Sequence, residues 1–241
     1  MSSIPSHQPG PRFLAAADAG VVVEFGDAVD EALSARVLAL EAAVRRRPPP
    51  GVVETVPTLR SLLVLYDSLA PGHDQLVAAL RELTSGPPEA PPAGGADWTI
   101  PVVYGGEAGP DLEDVAGAAG LTPGGAVAEH TGALHRVAML GHLPGLPYLT
   151  GLPAGLHAGR HPEPRVRVAA GSVAVAGGLT CIYPVAVPGG WRIIGRTPAR
   201  LFDPTADPFA ALAPGDRVRF VAIDAAGAAA LEGRPPERTG G

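Results

Sequence analysis

The sequence has no lysine and a single cysteine, and each scarcity excludes a kind of site. All 18 basic residues are arginine. A Walker A loop needs a lysine that reaches the phosphates of a nucleotide, so this chain carries no such loop. Cys181 is the only cysteine, which excludes an internal disulfide and any metal site built from several cysteines.

Positive charge and long apolar runs are also scarce. The formal net charge is −6, and binding to a phosphate backbone needs a basic surface, so we expect no nucleic-acid partner. No apolar stretch approaches the roughly 20 residues that span a bilayer. Residues 1–10 lack the basic start and apolar centre of a signal peptide. These features predict a cytoplasmic protein without a membrane partner.

The seven histidines do not form a metal-binding pattern. His157 and His161 are four residues apart, but Gly159 and Pro162 disfavour the helix that would bring them to one face. We therefore predict no metal site. His130 is expected to cap the C-terminus of a helix.

Strand and helix signals alternate in the order ββαββα over residues 1–84. Asp27 is the predicted N-cap of the first helix, whose apolar residues from Val29 to Val44 recur with helical spacing. This order predicts a small α+β domain with both helices on one face of a sheet. The predicted strands cover 13–17, 20–25, 52–56 and 61–66, and the predicted helices cover 28–46 and 72–83.

The rest of the chain is interrupted by glycine and proline. Residues 85–96 have no large apolar side chain and predict a linker. Two short helices are predicted within residues 97–224, one beginning at Pro110-Asp111 and one after Thr122. Short strands separated by Gly/Pro turns follow them. This pattern predicts a β-barrel or a β-sandwich. Residues 225–241 are small, polar and rich in glycine and proline, so we expect a disordered tail.

Arginines on predicted strands are the clearest candidates for binding. Strand alternation places Arg165 and Arg167 on one face, and Arg192 and Arg196 follow in WRIIGRTP. The planar guanidinium suits carboxylates and phosphates. These arginines could hold a small acid or a carboxylate of a partner, or they could form ordinary salt bridges on a solvated face.

Several ordered segments resemble one family. They are PGLPYLTGLP (144–153), PRVRVAAGSVAVAG (164–177), IYPVAVPGGWRIIGRTP (182–198) and APGDRVRFVAI (213–223). These segments, together with VVVEFGD and IPVVYGGEAGPDLEDVA in the first half, resemble the B subunits of 5-oxoprolinase. The family also includes proteins called Kip inhibitor and allophanate hydrolase subunit 1. The resemblance runs in unbroken order from about Arg12 to Ile223.

The resemblance implies a fold and an activity. The fold class is α+β, with a small α+β N-terminal domain of ferredoxin-like type followed by a cyclophilin-like β-barrel. The family's activity is that of one subunit of the bacterial ATP-dependent 5-oxoprolinase, which opens 5-oxo-L-proline to L-glutamate. In that enzyme the B and C subunits pair directly, while the ATP chemistry lies largely with the A subunit. We therefore expect a subunit that binds no cofactor itself and is inactive alone.

Two other functions come with the resemblance. One is a non-catalytic regulator that inhibits the autophosphorylation of a sensor histidine kinase. The other is a carboxyltransferase-like partner of a biotin-dependent enzyme.

The site residues are carried over by position. GHLPGLPYLTGLP (141–153) resembles the family's GFxPGFxYLxGL segment, so we expect an ordered, partly buried loop at the barrel groove. Tyr148 and His142 are the candidate catalytic residues, for polarisation or proton transfer. The candidate substrate-binding residues are Arg165, Arg167, Arg196, Thr197, Pro144 and Gly145. We expect the catalytic and the substrate-binding candidates to converge on one pocket.

The chain also departs from the family pattern. His142 and Leu146 stand where phenylalanines are usual, and Ala169 replaces a proline. Gly178 and Leu179 replace a Glu-Gln pair. Two interpretations stay open, namely an altered ligand specificity and a weakened activity.

Overall fold

The computed structural model of the chain describes residues 10–69, 72–86 and 95–239. The chain divides into two compact units, residues 1–93 and 94–241. Most of the predicted linker over 85–96 lies outside the described residues. Among the residues that are described, none of the helices combines the length and the hydropathy that a membrane span requires.

The first unit is an antiparallel sheet with two helices. The strands lie in the order β1-β2-β4-β3, and residues of β2, β4, α1 and α2 share one apolar core. Alternation explains the burial, because Val21 and Val23 of β2 are fully buried while Val22 between them is not. The predicted α+β class is confirmed. The elements are β1 Arg12–Ala15, β2 Gly20–Glu24, α1 Glu31–Arg46, β3 Val52–Pro57, β4 Ser61–Tyr66 and α2 His73–Thr84.

The first helix begins later than predicted. Asp30, not Asp27, is the N-cap, and its carboxylate accepts hydrogen bonds from the backbone N–H groups of Ala32 (2.8 Å) and Leu33 (3.1 Å). Val29 therefore precedes the helix and is 56% exposed. Both Asp27 and Asp30 can cap a helix, so the sequence alone could not choose between them.

The second unit is a closed, mixed β-barrel of seven strands. The order around the ring is β12-β9-β10-β7-β6-β13-β5, and β5 pairs with β12 to close it. The β5–β13 pair is parallel and the other pairs are antiparallel. The barrel strands are β5 Asp97–Tyr104, β6 His135–Leu140, β7 Pro147–Thr150, β9 Ser172–Ala176, β10 Leu179–Ile182, β12 Arg192–Arg196 and β13 Arg217–Ala222.

The other elements of this unit lie beside the ring. β8 pairs with β11 as a separate two-stranded ribbon. The barrel confirms the predicted fold class, and its core is formed by side chains such as Ile100, Val173, Ile194 and Phe220. The remaining elements are α3 Leu112–Ala118, α4 Pro123–Gly132, a 3-10 turn Ala154–Leu156, β8 Arg165–Val168, β11 Val187–Gly189, α5 Ala225–Leu231 and β14 Glu237–Thr239.

Two predictions about irregular segments are wrong. Residues 147–150, expected within a loop, form β7 between β6 and β10. Pro147 is tolerated because it is the first residue of the strand. The sequence predicts a disordered tail, but Asp224 caps α5 through a 2.7 Å hydrogen bond from Gly227 N, and β14 pairs with β5. Residues 240 and 241 lie outside the described part.

His130 is a core residue and not the helix cap that the sequence predicts. Its ring is fully buried and lies 4.5 Å from the Phe220 ring, centroid to centroid. Its Nδ1 is 2.8 Å from the Tyr104 hydroxyl, and its Nε2 is 3.3 Å from Thr180 Oγ1. His135 Nε2 donates to the His130 carbonyl oxygen (3.1 Å). The barrel thus contains a polar network that links α4 to β5 and β10.

This buried network predicts a loss of stability in acid. Burial lowers the pKa of His130 well below its ordinary value, with a smaller contribution from His135, and burial also lowers the pKa of His135. In the unfolded chain both histidines titrate near their ordinary value of about 6.5. Below this pH the unfolded state binds more protons, so stability that is present above about pH 6.5 is lost as the pH falls.

The measurement is the free energy of unfolding between about pH 7.5 and about pH 5. We expect it to fall by up to about 1.4 kcal/mol per pH unit for each histidine. His130→Gln keeps a polar side chain but removes the titration, so its slope should be shallower than that of the unmodified chain. Equal slopes for the two proteins would contradict the assignment.

Candidate functional site

Three of the predicted arginines line one cavity in the barrel unit. This arginine cavity has a volume of about 450 Å³ and is bordered by Arg165 and Arg167 of β8 and Arg196 at the end of β12. The (i, i+2) spacing on β8 places the first two side chains on one face, as predicted. Its other lining residues are Glu107, Ala108, Pro110, Val168, Ala169, Ser172 and Ile193.

A buried aspartate binds one of the arginines that line this cavity. Asp111 is 3% exposed. Its Oδ1 accepts hydrogen bonds from Arg165 Nη2 (2.7 Å) and His161 Nε2 (3.0 Å), and its Oδ2 accepts from Ile193 N (2.7 Å). Burial by itself raises the pKa of Asp111, but the hydrogen bonds from Arg165, Ile193 and His161 outweigh it and hold the pKa below its ordinary value. Asp111 is therefore an anion that fixes Arg165.

The loop before α3 brings Asp111 to β12. Asp111 N donates to the carbonyl of Ile193 (2.9 Å), and Gly105 N donates to the carbonyl of Ile194 (3.2 Å). Gly109 packs so closely that an added Cβ would collide with the Ile194 carbonyl oxygen. Only glycine permits this approach.

The three arginines differ in how they are held. Arg165 Nη1 is buried and has no hydrogen-bond partner among residues 10–69, 72–86 and 95–239. Arg167 is exposed, and its side chain makes no hydrogen bond or ion pair with any other described residue. Arg196 lies 3.9 Å from Glu232, at the outer limit of an ion pair. Arg167 and Arg196 are thus available to a ligand.

The two candidate catalytic residues line a second cavity. This aromatic cavity has a volume of about 270 Å³ and includes Tyr148, Tyr183 and Trp191. The Tyr148 and Trp191 rings meet edge to face, with centroids 5.6 Å apart. The Arg160 guanidinium lies 5.9 Å from the Trp191 ring centroid. The other lining residues are His142, Leu146, Pro164, Cys181, Pro188, Gly189 and Gly190.

Burial keeps the hydroxyl and thiol groups of the aromatic cavity protonated. It raises the pKa of Tyr148 and of Tyr183, in both cases with smaller contributions from Cys181. It also raises the pKa of the Cys181 thiol well above its ordinary value. At neutral pH the tyrosines are hydrogen-bond donors and not bases, and Cys181 is not an activated nucleophile.

The remaining candidate residues have local structural contacts. Thr197 is buried, and its hydroxyl accepts a hydrogen bond from Ala199 N (3.1 Å). Gly145 has a left-handed backbone (φ 73°) and packs against Phe202, while its neighbour Pro144 is exposed. His142 is exposed and also left-handed (φ 65°). Pro144, Gly145 and Thr197 line neither cavity.

The expected single pocket is therefore two pockets. They are adjacent, because Pro164 borders the aromatic cavity and the next residue, Arg165, lines the arginine cavity. Three of the five departures from the family pattern border these cavities, whereas Gly178 and Leu179 line neither. His142 and Leu146 line the aromatic cavity, and Ala169 lines the arginine cavity.

Asp111 and Arg160 are site residues that were not predicted from the sequence. The sequence indicates Asp111 only as the start of a helix, but its carboxylate makes no capping hydrogen bond. Its partners His161, Arg165 and Ile193 are 50, 54 and 82 residues away in the sequence. A PD pair before a helix carries no signal of such distant contacts.

A solved structure shares the fold of this chain. The crystal structure of TTHA0988 has the same fold, with a TM-score of 0.73 and 38% sequence identity over 85% of this chain. This chain covers only 40% of TTHA0988. The protein is thus an α+β protein with a barrel domain that also occurs within a longer chain.

Sequence comparison gives the family. Residues 11–212 match the family described as carboxyltransferase domain, subdomain C and D. The chain is 36% identical to the 5-oxoprolinase B subunit of Bacillus subtilis over 216 residues, which are 86% of this chain and 90% of the relative. It is 41% identical to the 5-oxoprolinase B subunit of Escherichia coli O157:H7 over 208 residues, 85% of this chain and 92% of the relative. The chain belongs to this family of carboxyltransferase-domain proteins. The two 5-oxoprolinase B subunits are similar to it over at least nine-tenths of their own length.

Proposed function

We infer that the protein is the B subunit of an ATP-dependent 5-oxoprolinase, which opens 5-oxo-L-proline to L-glutamate together with the A and C subunits. The observation that carries this inference is the identity to two relatives of that name over at least nine-tenths of each relative. ATP is used by the complex and not bound by this chain. The chain pairs with the C subunit, and it is inactive alone.

The aromatic cavity suits the lactam ring of the substrate. Apolar walls with a few converging polar groups are typical of small-molecule sites. The Tyr148 hydroxyl stays protonated, so it can donate a hydrogen bond to the lactam carbonyl as negative charge develops on the oxygen. Arg160, whose guanidinium lies over the Trp191 ring, can hold the substrate carboxylate. His142 lines the same cavity and is exposed, so both the substrate and solvent can reach its ring.

The arginine cavity supplies a second binding region. Arg165, Arg167 and Arg196 hold an anionic group of the substrate or of an intermediate. Asp111 keeps the Arg165 guanidinium in place before the ligand arrives, which reduces the entropy lost on binding.

Reconstitution tests this function. Purified chain is combined with the A and C subunits and ATP, and glutamate formed from 5-oxo-L-proline is measured. We expect release only when all three subunits and ATP are present, since this chain contributes binding groups and not the ATP chemistry. The chain alone serves as the control and should release no glutamate. Equal release with and without the chain would contradict the proposal.

A further inference from the structure

The Arg165 guanidinium is only half satisfied by the protein. Asp111 accepts from Nη2, while Nη1 is buried and unpaired within the described part of the chain. Buried donors almost always have a partner, because an unpaired one loses its hydration without compensation. The orphan nitrogen belongs to a side chain that lines the arginine cavity. The described protein groups therefore leave part of the hydrogen-bonding capacity of Arg165 unused.

The charge around the cavity favours an anionic ligand. Asp111 offsets one of the three guanidinium charges, and Glu107 is the only acidic side chain among the described residues that line the cavity. Arg167 has no partner in the regions described, and Arg196 has only the 3.9 Å contact with Glu232 there. The cavity therefore presents guanidinium donors that the described carboxylates do not saturate.

The arrangement favours a tetrahedral anion over a planar one. A single guanidinium already satisfies a carboxylate through two parallel hydrogen bonds. Here donors come from two positions on β8 and one at the end of β12, so they surround a common volume. An anion with oxygens in several directions can accept from all three arginines at once.

We propose that the arginine cavity is a phosphate-binding site, which takes inorganic phosphate or the phosphoryl group of an acyl phosphate. The site is distinct from the aromatic cavity that holds the lactam ring. Its role in the reaction depends on the proposed function, but phosphate binding itself needs only this chain.

Calorimetric titration of the isolated full-length chain tests the proposal. Sodium phosphate, acetyl phosphate and sodium acetate are titrated separately at matched ionic strength in a phosphate-free buffer. We expect saturable binding of one phosphate per chain and much weaker binding of acetate. Tighter binding of acetyl phosphate than of phosphate supports an acyl-phosphate site, and the reverse order supports a product site. Acetate binding as tight as phosphate binding overturns the proposal.

Three variants assign the binding to this cavity. Arg167→Gln removes a charge that no described protein group uses, so phosphate affinity should fall about tenfold. Glu107→Gln removes an acidic group from the lining, so affinity should rise about threefold. Arg219→Gln, at an exposed position of β13 outside the cavity, is the matched control and should bind as the unmodified chain does. Unchanged affinity in both Arg167→Gln and Glu107→Gln overturns the proposal.

The outcome is separable from that of the proposed function. Phosphate binding to the isolated chain, combined with no effect of the chain on glutamate release, would remove the 5-oxoprolinase assignment and keep the phosphate site. Normal glutamate release without phosphate binding would keep the 5-oxoprolinase assignment and remove the phosphate site.

Discussion

Asp111→Ala is expected to lower the free energy of unfolding by about 3 kcal/mol, a larger loss than any other substitution proposed for this chain should cause. The substitution leaves the Arg165 guanidinium without its anionic partner and the Ile193 N–H without an acceptor. The Arg165 side chain is 29% exposed, so water recovers part of the loss. For a domain of this size the melting temperature should fall by about 6–12 °C.

Thermal unfolding followed by circular dichroism measures this effect. Asp114→Ala is a suitable control, because Asp114 lies on α3 with a 73% exposed side chain and contacts Arg192 at 3.6 Å. The control should change stability by less than about 1 kcal/mol. A melting temperature for Asp111→Ala equal to that of Asp114→Ala would show that Asp111 does not hold the site together.

Local sequence patterns predicted most of the regular elements. Alternation identified β2, β4 and the shared face of Arg165 and Arg167, because a strand's period of two does not depend on distant residues. The barrel class followed from short strands between Gly/Pro turns. The predictions are wrong where one local pattern is compatible with two structures. Asp27 and Asp30 are equally good caps, and Pro147 is compatible both with a loop and with the first position of a strand.

Long-range contacts could not be predicted from one sequence. His130 looked like a helix cap because its partners Tyr104, Thr180 and Phe220 approach it only through the closed barrel. The small residues of 225–231 gave no sign of the helix that follows the Asp224 cap. Residues predicted to share one pocket line two, because consecutive residues at Pro164 and Arg165 border different cavities.

The arginine cavity is the part of the proposed site that a substitution can test most directly. Arg167 is the best residue to probe it, since it lines the cavity and no described protein group pairs with it. Removing its charge should therefore weaken ligand binding without disturbing the fold. A hydrogen bond to a charged group is worth about 1.5–3 kcal/mol, which corresponds to a roughly 10- to 100-fold change in kcat/KM.

The most direct test is the rate of ATP-dependent glutamate release by the complete complex that contains Arg167→Gln, compared with the complex that contains Arg219→Gln. We predict that kcat/KM for 5-oxo-L-proline falls about 10- to 100-fold with Arg167→Gln and stays unchanged with Arg219→Gln, while both chains melt at the temperature of the unmodified protein. Full activity of the Arg167→Gln complex would contradict the proposed role of the arginine cavity.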